Sequence, residues 1–436
     1  MKTPSFLSKI FRYIDNHESI YIDRLREAIE IRSVTTSVAY QNDVRKMVDW
    51  ITVQLQNNGF HVTVPKLNTQ GIKDPQLPKY WPIILADLFV DTSKKTLLIC
   101  SNLDVQFSDG TSWKYDPFKM TLDENKLYGK GTANNKSAIL CWLHAIEAYQ
   151  ATCEALPVNI KIILHFSETT QVERIREALE QLIKLEKNRF FNDVDYICIG
   201  AGYSLNRNHP CIIYDGIYKQ VNSIDLDTIK TFAKLDLDFD YLKRVMGVKR
   251  LPYSENKIEF LTRWWKFPSF CVHGIEGVSC DSIDRLSIPS TVTGTFSIQL
   301  VPNQTIEETK RVILNHIYDK WQTRSSSNRC NVVMDYAVPC WIADIHDPNI
   351  TAAMHASEFV YNKTPTLVCE GFMVPIASCL HDILKRSLVV IPICSIECAA
   401  HSVNEFIDVE SYIKGVGILI YSHVISNALE RIMIRI

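Results

Sequence analysis

Cys394, Cys398 and His401 make a Cys-x3-Cys-x2-His run, three side chains of the kind that bind zinc when they converge. A tetrahedral site needs a fourth ligand, which three donors on one loop do not provide. A free cysteine more often serves as a small buried hydrophobe, so this run reads as packing. Glu168 follows the apolar run Asn159–Phe166, a carboxylate at a strand end. Without a charged or metal partner it reads as a solvated or protonated carboxylate. Asp104 reads as a local cap or pair, and His401 as an imidazole bonded to backbone. No His-Glu-x-x-His, Walker loop or Cys-x-x-Cys supplies another chemistry. No nucleophile elbow marks a Ser or Cys triad.

Periodicity gives the elements that would position these residues. Helices are expected over 18–33, with Ile20, Ile22, Leu25, Ala28 and Ile29 near one face, and over 40–57, with Val44, Met47, Val48, Ile51 and Leu55. Gly59 closes the second. Strands are expected at His61–Pro65, Ile83–Val90, Thr96–Cys100, Asn159–Phe166 and Tyr196–Ile199, with helices at Asn135–Gln150 and Gln171–Leu185. This alternation implies a largely parallel sheet covered on both faces. Near Cys211 the rhythm changes to short helices over 224–247, strands at Ser269–His273, 285–301 and 330–336, and a helix at 305–322. Alternation then returns: a helix at 348–362, a strand at Thr366–Cys369, a helix from Val374, a strand at Leu388–Ile393 and a helix at 409–432. The expected organisation is an α/β domain in two parts, 1–211 and 339–436, interrupted by a smaller α+β domain at 212–338.

Composition narrows the function classes. The 436 residues carry a net charge of −2 with no basic run, which argues against nucleic acid or an anionic membrane as partner. The opening stretch from Met1 to Ile14 is split by Ser8, Lys9 and Arg12, unlike a signal peptide. No run approaches the roughly 18 apolar residues of a membrane span. Thirteen cysteines, an odd number with irregular spacing, point to reduced thiols and a cytoplasmic setting. There are only 15 glycines, about half the usual share of roughly 7%, a hint that loops which cradle a ligand have changed.

The strand ends, read in order, are Ser101-Asn102-Leu103-Asp104-Val105, Gly129-Lys130-Gly131-Thr132-Ala133-Asn134-Asn135-Lys136-Ser137, His165-Phe166-Ser167-Glu168-Thr169-Thr170, Ile199-Gly200-Ala201 and Ala400-His401-Ser402-Val403-Asn404-Glu405. With Trp113…Asp116-Pro117-Phe118, Pro268-Ser269…His273-Gly274 and Cys369-Glu370-Gly371, the series resembles the zinc-dependent dipeptidases of the carnosine dipeptidase and aminoacylase family, in particular the cytosolic non-specific dipeptidases. The resemblance runs from about residue 20 to the C-terminus. It implies a phosphorylase/hydrolase-like zinc-exopeptidase sheet flanked by helices, with an inserted α+β lid.

That family holds two zinc ions with a His, a bridging Asp, a Glu, a second Asp and a last His. Paired cations need carboxylate charge around them, and their shared water must be acidified to attack. Carried over position by position, the first His is Asn102, the bridging Asp is Asn134, the Glu is Thr169 and the second Asp is Ala201. His401 keeps the last His, Glu168 the general base, and Asp104 the carboxylate that orients the missing first His. The lid Arg that binds the substrate carboxylate is Gln299, and a lid His is Pro339. The motif whose His reaches across the family dimer has no counterpart after Gly216-Ile217-Tyr218, so a homodimer of that kind is doubtful.

Two amides, a hydroxyl and a methyl in place of three carboxylates and an imidazole imply that no cofactor is bound and that hydrolysis is lost. The expected protein is a pseudoenzyme that binds a peptide, a metabolite or another protein. Two other readings use the same residues: a working metallopeptidase with altered ligands, and a structural subunit that pairs with an active paralogue.

Overall fold

A computed structural model describes residues 5–65, 81–152, 156–166, 173–204, 207–208, 210–215, 229–230, 232–233, 235, 237–277, 289–300, 304–335, 337–338, 341, 343–369 and 374–419. By internal contacts the chain divides into two units. One comprises Met1–Tyr214, Ala343–Val368 and Val374–Ile436, the other Asp215–Ile342 with Cys369–Met373.

The first unit is built on an eight-stranded sheet. Its strands are β1 (His61–Thr63), β2 (Ile83–Leu88), β3 (Thr96–Asn102), β6 (Asn159–His165), β7 (Tyr196–Ile199), β9 (Cys211–Asp215), β12 (Thr366–Cys369) and β13 (Ser387–Val390). Small ladders add β4 (Thr121–Asp123), β5 (Lys126–Tyr128), β8 (Tyr203–Ser204), β14 (Cys394–Ser395) and β15 (Phe406–Asp408). The sheet order is β1-β2-β6-β3-β7-β13-β9-β12. β3 is buried at all seven positions, as expected of an apolar strand covered on both faces. β6, β3, β7 and β13 run parallel, so Asn102, His165, Ile199 and Val390 end at one edge, where parallel sheets collect chemistry.

The sheet is more mixed than the alternation implies. β2 pairs antiparallel with β1 and β6, and β9 antiparallel with β13. β2 is the next strand of the sheet after β1 and pairs with it antiparallel, an arrangement that needs no crossover helix.

Helices cover the sheet: α1 (Ser5–Asn16), α2 (Glu18–Glu30), α3 (Gln41–Asn57), α4 (Lys136–Thr152), α5 (Glu173–Glu186), α9 (Pro348–Tyr361), α10 (Pro375–Leu384) and a last helix over 409–419. α4 is buried on nearly every side from Lys136 to Ala148, the mark of a helix inside a core. Its packing explains a shift on α2. Ile20 is 47% exposed, while Tyr21 is fully buried and stacks on His144 at 3.9 Å. α1, which the sequence reading passed over, buries Leu7, Ile10 and Ile14 in the same core.

The second unit contains α6 (Phe239–Met246), α7 (Lys257–Lys266), the antiparallel pair β10 (Ser269–Glu276) and β11 (Thr293–Gln299), and α8 (Ile306–Thr323). Side-chain oxygens of Asp238, Asn256 and Thr305 cap the three helices. α7 was not foreseen. The strand expected at 330–336 is absent over its described residues, 330–335. Val333 is 66% exposed, and apolar alternation without a ladder partner does not hold a strand.

Candidate functional site

Three turns meet beyond the carboxyl end of β3. Asn102 and Asp104 are almost fully buried, because the chain leaves β3 under α2: Val105 N–H donates to Ser33 O at 3.1 Å and Ser33 Oγ to Leu103 O at 2.5 Å. Leu103 N–H donates to His165 O at 3.1 Å, which ties the ends of β3 and β6.

The second turn, 129–135, leads into α4. Gly131 has φ +96°, and a Cβ there would lie 3.0 Å from Val105 Cγ1 and 3.2 Å from Lys136 Cδ, so only glycine suits the turn. The Asn134–Asn135 peptide is cis. The third turn, 399–405, is laid over the second by the β15–β5 ladder, which sets Phe406 opposite Tyr128. Ala399, His401 and Asn404 all take left-handed backbone (φ 49°, 65° and 59°), an unusual density for residues other than glycine.

Hydrogen bonds join the turns. Asn102 Nδ2 donates to Asp104 Oδ1 at 3.2 Å, and Asn102 Oδ1 accepts from Asn135 Nδ2. Asn134 Nδ2 donates to His401 Nε2. Glu405, with no exposure, takes the backbone N–H groups of Gly131, Ala133 and Asn134 on Oε1 at 3.1, 3.1 and 3.0 Å. Its Oε2 lies 3.3 Å from Lys130 Nζ, a charge contact without hydrogen-bond alignment, since Oε2 has no hydrogen-bond partner. Burial raises the Glu405 carboxyl while Lys130 and the N–H groups hold it down.

The remaining charges are spent on structure. Lys136 Nζ donates to Ala28 O at 2.8 Å and Ile31 O at 2.7 Å, closing the carboxyl end of α2. Burial pushes its ammonium down to about 7. Burial likewise holds His165 at about 4, against the pull of Asp104, and His401 below its ordinary value, helped by Lys130. Both imidazoles are neutral at pH 7.

Asn102, Asn134, His401 and Asp104 are thus brought together. Ala201 is buried just past β7, where Gly200 packs so closely that a Cβ would sit 2.8 Å from Ala138 Cβ. Gln299 ends β11 in the second unit and accepts from Ser269 Oγ at 2.9 Å. Glu168, Thr169 and Pro339 lie outside the described residues. Cys394 Sγ points to Gly202 O at 3.5 Å and Ala133 O at 3.6 Å, and Cys398 Sγ faces Ser395 Oγ at 3.7 Å. These thiols serve packing. The sequence reading missed Asn135, Lys130, Lys136 and Glu405 as organisers, although a Lys-Gly-Thr-Ala-Asn-Asn-Lys turn carries two lysines with no acid of its own, which calls for a buried carboxylate from elsewhere.

With this geometry, the chain belongs to a known family: it matches peptidase family M20/M25/M40 over residues 98–423. It is 31% identical to the human Beta-Ala-His dipeptidase, over 94% of this chain and 91% of that protein. It is 26% identical to the Cys-Gly metallodipeptidase DUG1 of Saccharomyces cerevisiae, over 94% and 96%. The human alignment runs to 466 positions, more than the 436 residues present, so the relative carries residues this chain lacks. Among solved structures, human carnosine dipeptidase 1 superposes with TM-score 0.85 at 28% identity, covering 97% of this chain and 100% of that one. Dug1p of Saccharomyces cerevisiae shares the fold at TM-score 0.87 and 24% identity, covering 97% and 98%. Among the described residues no helix is long and apolar enough to cross a membrane.

The zinc pair that the resemblance implies does not fit the residues present. Asn102, Asn134 and Ala201 bring no charge, and the lone pair on His401 Nε2 already receives an amide hydrogen. Asn102 Oδ1 is likewise taken by Asn135. Among the described residues no three His, Cys, Asp or Glu side chains are grouped to hold a metal ion.

Proposed function

We propose that this chain is a catalytically inactive member of its peptidase family, kept as a binding protein without resident metal ions. The observation that carries this reading is the Asn134–His401 hydrogen bond, which spends the one imidazole of the ligand set on an amide. Neutral amides are weak zinc ligands, and losing even supporting residues around a metal typically costs about 10–100-fold in affinity. Without an acidified water, Glu168 has no nucleophile to deprotonate.

A pocket of about 600 Å³ next to these turns supports a binding role. Arg32, Tyr40, Phe107, Trp113, Lys114 and Tyr115 are among its lining residues, and Lys114 N–H donates to Asn404 Oδ1 at 2.6 Å. Its size falls in the range of small-molecule sites, and its mix of aromatic faces and charges suits a peptide or a polar metabolite. We read the second unit as a shortened form of the family lid, and the odd number and irregular spacing of the thirteen cysteines as a sign of the cytosol.

The test is hydrolysis of β-Ala-His and Cys-Gly by the full chain with zinc added. The expected result is no turnover above buffer. Turnover that a chelator abolishes would instead support a metallopeptidase with altered ligands.

A further inference from the structure

The neutral side chains at this centre satisfy one another. Asn102 both donates to Asp104 and accepts from Asn135, roles that neither a carboxylate nor a single imidazole nitrogen could combine. Asn134 donates to His401, and Glu405 gathers three N–H groups of the turn that carries Asn134. Thr35 Oγ1 donates to Asp104 Oδ2 at 3.4 Å, which brings in the segment after α2. The bonds therefore cross-link four stretches distant in sequence: 33–35, 102–104, 131–135 and 401–405. Ions held between the same turns would cross-link them too.

We propose that the amides have taken over this mechanical task, making the centre a metal-independent clasp that holds the edge of the sheet closed whether or not an ion is offered. The proposal rests on the metal-free reading above and adds that these substitutions act as a set. Buried polar networks rigidify as their members are satisfied; in this one Glu405 Oε2 is met only by the charge of Lys130, and the amides carry the bonds between the turns.

Hydrogen exchange read by mass spectrometry on the full chain tests it, over peptides spanning 98–105, 129–137 and 399–407. In the wild type, neither chelator nor zinc chloride changes protection. Asn134→Ala speeds exchange about tenfold or more in 129–137 and 399–407, and Asn102→Ala does so in 98–105 and 129–137. If either variant does not fold, Asn135→Ala, which removes one donor, gives the same readout in 98–105 and 129–137. Unchanged exchange in the variants overturns the clasp and leaves the inactive reading standing. Slower exchange in the wild type on adding zinc overturns both.

Discussion

His401 Nε2 accepts a hydrogen bond from Asn134 Nδ2, so the imidazole is fixed as the neutral tautomer with its hydrogen on Nδ1. Burial and the nearby Lys130 disfavour the imidazolium in the same way. A ring nitrogen in that state is spoken for.

Asn134→Asp reverses the bond. The carboxylate can only accept, so His401 must turn donor at Nε2, by moving its hydrogen from Nδ1 or by taking up a proton, and the carboxylate charge favours the protonated ring. An opposite charge at this range raises an imidazole pKa by about 1–3 units. Proton NMR titration of His401 should show a rise of that order over wild type. No rise would mean that the side chains do not face each other as described.

Glu405→Gln keeps an oxygen for the three turn N–H groups but leaves Lys130, 3.3 Å away and nearly buried, without its counter-charge. Breaking a buried pair from one side costs about 3–5 kcal/mol. Urea unfolding should show a loss in that range. The exposed pair Lys385–Asp382 is a control: Asp382→Asn should change stability by no more than about 1 kcal/mol.

His144 sets a pH dependence far from the site. Arg24 Nη1 donates to its Nδ1 at 2.9 Å, and Nε2–H donates to Tyr412 Oη at 2.9 Å. Burial first, and Arg24 second, hold its pKa well below 6.5. The unfolded chain therefore takes up a proton that the folded one refuses, and stability falls as pH drops below 6.5. His144→Gln should flatten that part of the stability curve in urea titrations at stepped pH. A slope as steep as the wild type's would contradict the assignment.

Restoring Asn102→His, Asn134→Asp, Thr169→Glu and Ala201→Asp together should create zinc affinity. Without zinc the variant gathers carboxylates with no counter-charge and should melt below wild type; saturating zinc should recover the loss. Wild-type melting should not respond to zinc. Each single reversion leaves too few charged ligands and should not respond either.

The sequence was informative where one pattern decided the outcome. Thr96–Cys100 and Tyr196–Ile199 read as buried strands because nearly every residue is apolar, and β3 and β7 lie there. Asn102 and Asn134 could be placed because flanking residues kept a recognisable order. What stayed hidden depended on contacts between distant segments. Ile20 fits a helical stripe as well as Tyr21 does, and only the His144 ring explains which is buried. Asn135 and Glu405 look like ordinary polar residues until one accepts three N–H groups from a turn some 270 positions away and the other meets Asn102. The apolar residues of 330–335 imitate a strand because alternation does not reveal whether a neighbour exists to pair with.

Metal content is the most direct check on the whole account. The full chain, purified without chelator, incubated with excess zinc and desalted, is analysed by inductively coupled plasma mass spectrometry. Only trace zinc per chain is expected. A stable content of about two zinc ions per chain, as a dinuclear hydrolase would hold, would contradict it.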